Sequence, residues 1–194
     1  MSEKIATPPT ITVEDLLRRH NVPIHSWGIG DAKTLAQLIK EINGGDSRLV
    51  VDDEGIVRML QTITIDISST APSGVTYRLV EDRQEFDDGR VRTRRGRMRG
   101  SIGEKMKSTD EHPIDAARRG LREELGITEE IPLKYLEMID EDRESRSYPG
   151  LRSRYELHLF SGIIPSHLFI PEGYTEKNDD LSMTTFFVWE KVLN

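Results

Sequence analysis

Apolar and polar positions follow two periods along this chain, and the change from one to the other divides it. Residues 1–10 hold two prolines and no apolar period, which predicts a flexible lead. Thr12 with Asp15 three positions on is a capping-box pattern, so a short helix is expected near Val13 to His20. A loop from Pro23 to Gly30 follows. Asp31 is then placed to cap a second helix over Ala32 to Asn43, where Leu35, Leu38, Ile39 and Ile42 share one face and Gly44-Gly45 makes the stop.

From Arg48 the period becomes two. Leu49 to Val51 and Ile56 to Ile67 read as strands joined at Asp53-Glu54-Gly55, and Val75 to Phe86 and Arg90 to Met98 as a second hairpin around Asp87-Asp88-Gly89. A glycine-rich loop leads to Asp110 and Glu111, and a helix is expected from His112 to Leu125. Pro113 stands where a first turn tolerates proline, Ile114, Ala117, Leu121 and Leu125 form the inward stripe, and Gly126 stops the helix. Leu133 to Ile139, Arg154 to Ile164 and Met183 to Val192 alternate as strands. The acidic run Asp140 to Glu144 and the segment Pro165 to Leu181 are expected to be loops.

Composition narrows the class. A length of 194 residues with 36% hydrophobic content suits one domain with an extension. The absence of cysteine excludes a disulfide framework and a thiolate metal site and is in keeping with a reducing, cytoplasmic setting. No apolar segment is long enough to suggest a membrane span, and a net charge of −7 argues against a nonspecific nucleic-acid binder. Gly28 to Thr34 places Lys33-Thr34 after glycines, but no glycine directly precedes the lysine and no strand feeds the loop, so it is not a P-loop. Trp27 reads as a packing anchor or as part of a subunit contact. The five histidines show no ligand spacing.

Candidate chemistry gathers on the helix that ends at Gly126. Glu123 and Glu124 are adjacent hard oxygen donors of the kind Mg²⁺ takes when it also holds phosphate. Arg119 lies four residues before Glu123 as an ion-pair partner, whereas the corresponding neighbours of Glu124 are Gly120 and Leu121 and offer no cation. Upstream, six arginines fall between Arg90 and Arg99. They read either as a solvated strand that discourages edge pairing or as bidentate partners for a diphosphate.

The segment Arg119-Gly-Leu-Arg-Glu-Glu-Leu-Gly-Ile127, with Glu111 upstream, resembles the Nudix box, whose pattern is G-x5-E-x7-R-E-U-x-E-E-x-G-U with U apolar. Glu111, Arg119, Leu121, Glu123, Glu124, Gly126 and Ile127 match in register. The pattern departs at Lys105, where its first glycine would stand with Gly103 two residues back, and at Gly120, which replaces the first box glutamate. The resemblance implies an α/β fold, an α/β/α sandwich with a mixed sheet, over residues 56–194 with the box at 103–127. Before it come the lead of residues 1–10 and an extension at 11–55 of two helices and a strand.

The same resemblance implies a hydrolase that uses Mg²⁺ or Mn²⁺ to cleave a nucleoside diphosphate linked to another moiety. Glu123, Glu124 and Glu111 would hold metal, and Arg119, Glu123 and Glu124 would carry catalysis. Arg95, Arg97, Arg99 and Gly103 would bind the nucleotide-type ligand. Gly120 leaves a reduced activity or a non-catalytic binding module as alternatives. An acid from Asp140 to Glu144 or from Glu172 to Asp180 is a candidate late ligand or base. A homodimer is expected, with the extension contributing its apolar helix face to the interface.

Overall fold

Both amino-terminal helices begin where a threonine hydroxyl meets the backbone three residues on. In α1 (Val13–Arg19) the Thr12 hydroxyl accepts the Asp15 N–H at 3.1 Å. In α2 (Leu35–Asn43) the Thr34 hydroxyl accepts the Gln37 N–H at 3.2 Å, and the Gln37 amide oxygen accepts the Thr34 N–H at 2.8 Å. That reciprocal pair satisfies two donors that the first turn cannot, and it starts α2 at Leu35 rather than at the expected Ala32. The computed structural model describes residues 11–30, 32–71, 73–96, 100–107, 109–179 and 182–192. The expected lead and the expected cap Asp31 lie outside them.

The chain packs as two compact units, Met1–Met59 with Asp142–Arg154, and Leu60–Glu141 with Tyr155–Asn194. In the first, α1 and α2 precede a hairpin of β1 (Arg48–Asp52) and the start of β2 (Gly55–Thr70), registered antiparallel from Arg48↔Met59 to Asp52↔Gly55. Its core joins Leu17, Trp27 and Leu38 to Tyr148 and Leu151, with Leu35 and Ile42 packed against it. Trp27 is the packing anchor: its indole N–H donates to the Pro149 carbonyl at 2.9 Å and its ring centre lies 5.1 Å from that of Tyr148. Much of the α2 stripe is therefore covered inside its own unit. Glu41, on the same helix, is also buried and pairs with Arg58 at 2.6 Å and Lys33 at 2.7 Å.

The second unit carries the candidate chemistry. It contains the rest of β2, β3 (Thr76–Phe86), β4 (Val91–Thr93), β5 (Ile102–Lys105), α3 (Pro113–Leu125), most of β6 (Leu133–Glu144) and β7 (Arg152–Ile163), β8 (Tyr174–Asn178) and β9 (Met183–Lys191). Strand order runs β6-β7-β2-β3-β9-β8, with β4 paired to β3 and β5 to β2. Strands and helices together make the α/β class expected from the sequence. Ile63, Ile65 and Ile67 alternate inward and are fully buried, and Ala116, Ala117, Leu121 and Leu125 of α3 join the same core.

Four local expectations are corrected. The glycine-rich stretch before the box is partly a strand, since β5 pairs antiparallel with β2 from Ile65↔Ile102 to Thr62↔Lys105. The acidic run Asp140 to Glu144 is the end of β6, not a loop; its Asp142 is held by Arg152 at 3.2 Å and Arg154 at 3.1 Å within the first unit. The segment Pro165 to Leu181 contains β8, which pairs with β9 from Tyr174↔Phe187 to Asn178↔Met183. The arginine strand shortens to Val91–Thr93 and gives way to a turn at Arg95 and Gly96. In the first three cases hydrogen bonds to a partner strand overrule the local pattern, and at the arginine strand the Arg94 and Arg95 N–H groups both donate to the Asp82 carbonyl, at 2.8 and 3.1 Å, which ends the regular ladder.

Candidate active site

Local chemistry sets the ends of α3. Pro113 occupies the first turn, the His112 N–H donates to Asp115 at 3.0 Å, and Gly126 closes the helix at φ +68°, a left-handed conformation that glycine adopts without cost. The helix is thereby fixed in phase. Its Ala116, Ala117, Leu121 and Leu125 are buried, Glu123 is half-exposed, and Glu124 is partly covered.

Arg119 ties this helix to the segment before it. Its guanidinium, only 10% exposed, donates to both carboxylate oxygens of Asp110, one of them at 2.6 Å, and to the Lys105 carbonyl at 2.5 Å. Glu104 and Glu123 lie farther off, at 3.5 and 3.8 Å. Burial pushes the Asp110 carboxyl up, but the Arg119 bond, the Lys107 backbone N–H and the Arg119 charge outweigh it and hold Asp110 below the usual carboxylate range. The acid that engages Arg119 is thus Asp110. Glu111, the residue in the box register, is exposed.

Glu124 faces a different environment. Together with Glu81, Glu176, Arg94, Gly103 and Asn178 it lines a cavity of about 210 Å³. Among the described residues no cation pairs with it, in keeping with its helical neighbours at 120 and 121. Burial, and then the negative charges of Glu176, Glu104, Glu81 and Glu123, push its pKa up to about 8. Glu176 is also raised, chiefly by burial and then by Glu104 and Glu123, against hydrogen bonds from Thr185 and Asn178. Glu81 is 6% exposed and accepts from Arg94 at 3.1 Å and from Gln84 at 2.9 Å.

These donors are hard oxygens whose mutual repulsion a divalent cation would relieve, so the residues fit Mg²⁺ or Mn²⁺ by chemistry. Among the described residues, no three acidic or histidine side chains are drawn together as a ready-made metal cluster.

The structure brings Glu123, Glu124 and Gly103 to this region and leaves others apart. Arg95 is half-exposed and held by Asp82 at 3.0 Å and Glu190 at 3.3 Å, and it does not line the cavity. Arg97 and Arg99 lie outside the described residues. Arg94 supplies the guanidinium at the cavity instead. Glu176 falls in the acidic segment singled out as a source of a late ligand.

Glu81 and Glu104 are site residues that the motif does not point to, yet they carry a readable signal. Each stands two residues after a buried apolar residue of its strand, Leu79 and Ile102, as Glu176 does after Tyr174. A period of two therefore turns all three carboxylates toward the face that buries those neighbours. An acid there is costly unless something uses it.

No family model matches the chain, and no curated protein matches it. Solved structures overlap it weakly. The NUDIX domain of Shewanella oneidensis NrtR complexed with ADP ribose shares 9% identity over 69% of this chain and 73% of its own, with a TM-score of 0.38. A mutT/nudix family protein from Listeria innocua shares 21% identity over 66% and 77%, also at a TM-score of 0.38. A C. elegans Ap4A hydrolase shares 14% over 69% and 80%, at 0.34. Overlaps of this size carry no assignment, so any function has to be argued from the residues at the cavity.

Proposed function

We propose that this chain is a Nudix-type hydrolase, dependent on Mg²⁺ or Mn²⁺, that cleaves a diphosphate anhydride joining a nucleoside to a second moiety. The supporting observation is Glu124: a box residue, without a cationic partner among the described residues, raised to about 8 by burial and by surrounding carboxylates, on the wall of a cavity that also holds a guanidinium. A bound divalent cation would offset that negative charge and lower the pKa of a water held with the substrate.

The chain's own residues then divide the work. Glu123 and Glu124 present oxygens from one helix turn, and Arg119 fixes that turn against Asp110 and the Lys105 carbonyl. Arg94, whose Nε donates to Glu81 at 3.1 Å, would offer a diphosphate its two terminal nitrogens, while Arg95 is committed to Asp82 and Glu190. In this reading Glu111 contributes at most through solvent, because its side chain faces outward.

A second reading, a non-catalytic module that binds nucleotides or proteins, is favoured by Gly120 and by the absence of an assembled cluster among the described residues. Calorimetry with Mg²⁺ and a panel of nucleoside diphosphate derivatives, ADP-ribose among them, followed by product analysis, separates the two. Cation-dependent binding with turnover is expected. Binding without turnover establishes the module, and no binding of any nucleotide removes both.

We retain a homodimer in this reading but move its surface. Leu35, Leu38 and Ile42 of α2 are covered within their own unit, whereas Tyr135, Leu136 and Met138 of the edge strand β6 are each about half exposed. An apolar, unpaired edge is a ready template for a second strand. Light scattering of the full chain is expected to show a dimer that weakens in Leu136→Lys, and a monomer at high concentration would remove it.

A further inference from the structure

Where α3 lacks a box carboxylate, the strand facing it carries one. A Cβ built on Gly120 would lie 3.4 Å from the Glu104 Cβ and 3.4 Å from the Ile102 Cγ2, with the Glu104 Cγ at 3.9 Å. The volume a residue at 120 would enter is thus bordered by the stem of Glu104. Gly120 carries a helix penalty of about 1 kcal/mol against alanine, and a close approach of β5 gives that penalty a use.

We propose that Glu104 on β5 takes the part left open by Gly120, completing with Glu123 and Glu124 the carboxylate set that meets the divalent cation. The inference rests on the function proposed above and assigns to that site a residue from outside the box. Three further observations support it. Glu104 shares its strand face with Ile102, which is 1% exposed and packs in the α3 core, so its carboxylate is directed to the helix rather than to solvent. Its Oε1 accepts the Lys105 N–H at 2.8 Å and lies 3.5 Å from Arg119, farther than the bonds Arg119 makes to Asp110 and to the Lys105 carbonyl, so both contacts fall on one oxygen and neither uses Oε2. Its side chain is also largely covered, with 17% of it exposed, although it is an acid.

The exchange of a glutamate between helix and strand can be tested on the full chain without any substrate. Mn²⁺ binding is read from the loss of the free-ion electron paramagnetic resonance signal, alongside melting with EDTA and with Mn²⁺. Glu104→Gln keeps the side-chain shape and is expected to weaken Mn²⁺ by at least about tenfold, the lower end of what even an outer-shell partner contributes. The double variant Glu104→Gln with Gly120→Glu is expected to recover most of that affinity. Gly120→Glu alone crowds a further carboxylate against Glu104, so it should melt lower than wild type in EDTA and gain more from Mn²⁺.

Wild-type affinity in Glu104→Gln, with binding lost in Glu124→Gln, overturns this assignment and leaves the proposed function standing. A loss that the double variant does not recover also overturns it and makes Glu104 a structural partner of Arg119. Should the double variant not fold, Glu104→Asp carries the test. An affinity between wild type and Glu104→Gln supports the assignment, and one no better than Glu104→Gln overturns it. Absence of Mn²⁺ binding in wild type removes both the assignment and the function it rests on.

Discussion

Replacing Arg119 with alanine is expected to destabilise the protein by about 3–5 kcal/mol, the range found when one partner of a buried ion pair is removed. The reason is what stays behind. The Asp110 carboxylate is only 8% exposed and would keep the Lys107 N–H at 2.7 Å but lose its guanidinium, and the Lys105 carbonyl would lose a donor at 2.5 Å. At roughly 2–4 °C per kcal/mol for a chain of this size, the melting temperature should fall by about 6–20 °C. Arg119→Lys restores the charge but not the fork that spans Asp110 and the carbonyl together, so it should recover only part of the loss.

The same pair gives a pH signature. Because the folded Asp110 carboxyl is held below its unfolded value of 3.8, its contribution to stability is present above that value and is lost as pH falls through the lower, folded one. The wild-type advantage over Arg119→Ala, measured by urea unfolding, should therefore hold near neutrality and shrink below about pH 4. A loss under about 1 kcal/mol at pH 7 would mean that solvent already reaches this pair well enough to replace it.

Glu124→Gln is expected to act in the opposite direction when no metal is present. A carboxyl whose folded pKa is about 8 against an ordinary value of 4.5 binds more protons folded than unfolded between those limits. Stability in EDTA should thus fall as pH rises from about 4.5 to about 8, by an amount of order 2–5 kcal/mol at the upper end. Glutamine carries no charge to desolvate, so the variant should lack this slope and be the more stable protein at pH 8 in EDTA.

Saturating Mg²⁺ or Mn²⁺ should raise the wild-type melting temperature most at the alkaline end and leave Glu124→Gln nearly unmoved, because a ligand stabilises a fold only as far as it prefers it. Thermal melts of both proteins from pH 5 to 8.5, with EDTA and with metal, measure all four curves. Parallel pH dependences in the two proteins would show that Glu124 is hydrated rather than enclosed. Equal metal shifts would show that the cation binds elsewhere.

Most features within reach of a few residues were legible in the chain. The Thr12–Asp15 box, the turn that pairs Asp52 with Gly55, Pro113 at the start of α3 and Gly126 at its end all form as the sequence indicates. Each depends on hydrogen bonds or backbone dihedrals closed over about four residues, which tertiary context rarely overrides. That Gly120 and Leu121 give Glu124 no cation one turn back along the helix was legible for the same reason, since helical neighbours are fixed by spacing alone.

Every pairing between distant segments needed the folded protein. Ile102 to Lys105 looks like a loop in isolation and becomes β5 only because residues 62–65 of β2 accept it as a partner. Arg119 selects Asp110 over its neighbour Glu111 because one side chain turns inward and the other outward at a bend whose direction is set by the packing of α3. Gly120 reads as a lost carboxylate from within the box and as room for Glu104 once β5 is in place.

The sequence by itself determined where α3 begins and ends and that no cation would stand one helical turn before Glu124, because helix caps and helix neighbours are local. Only the tertiary structure decided that Glu81 and Glu176, carried on two strands far apart in the chain, would line the same cavity. Strand partners are chosen by burial across the whole sheet, and no period within one strand says which other strand will lie beside it.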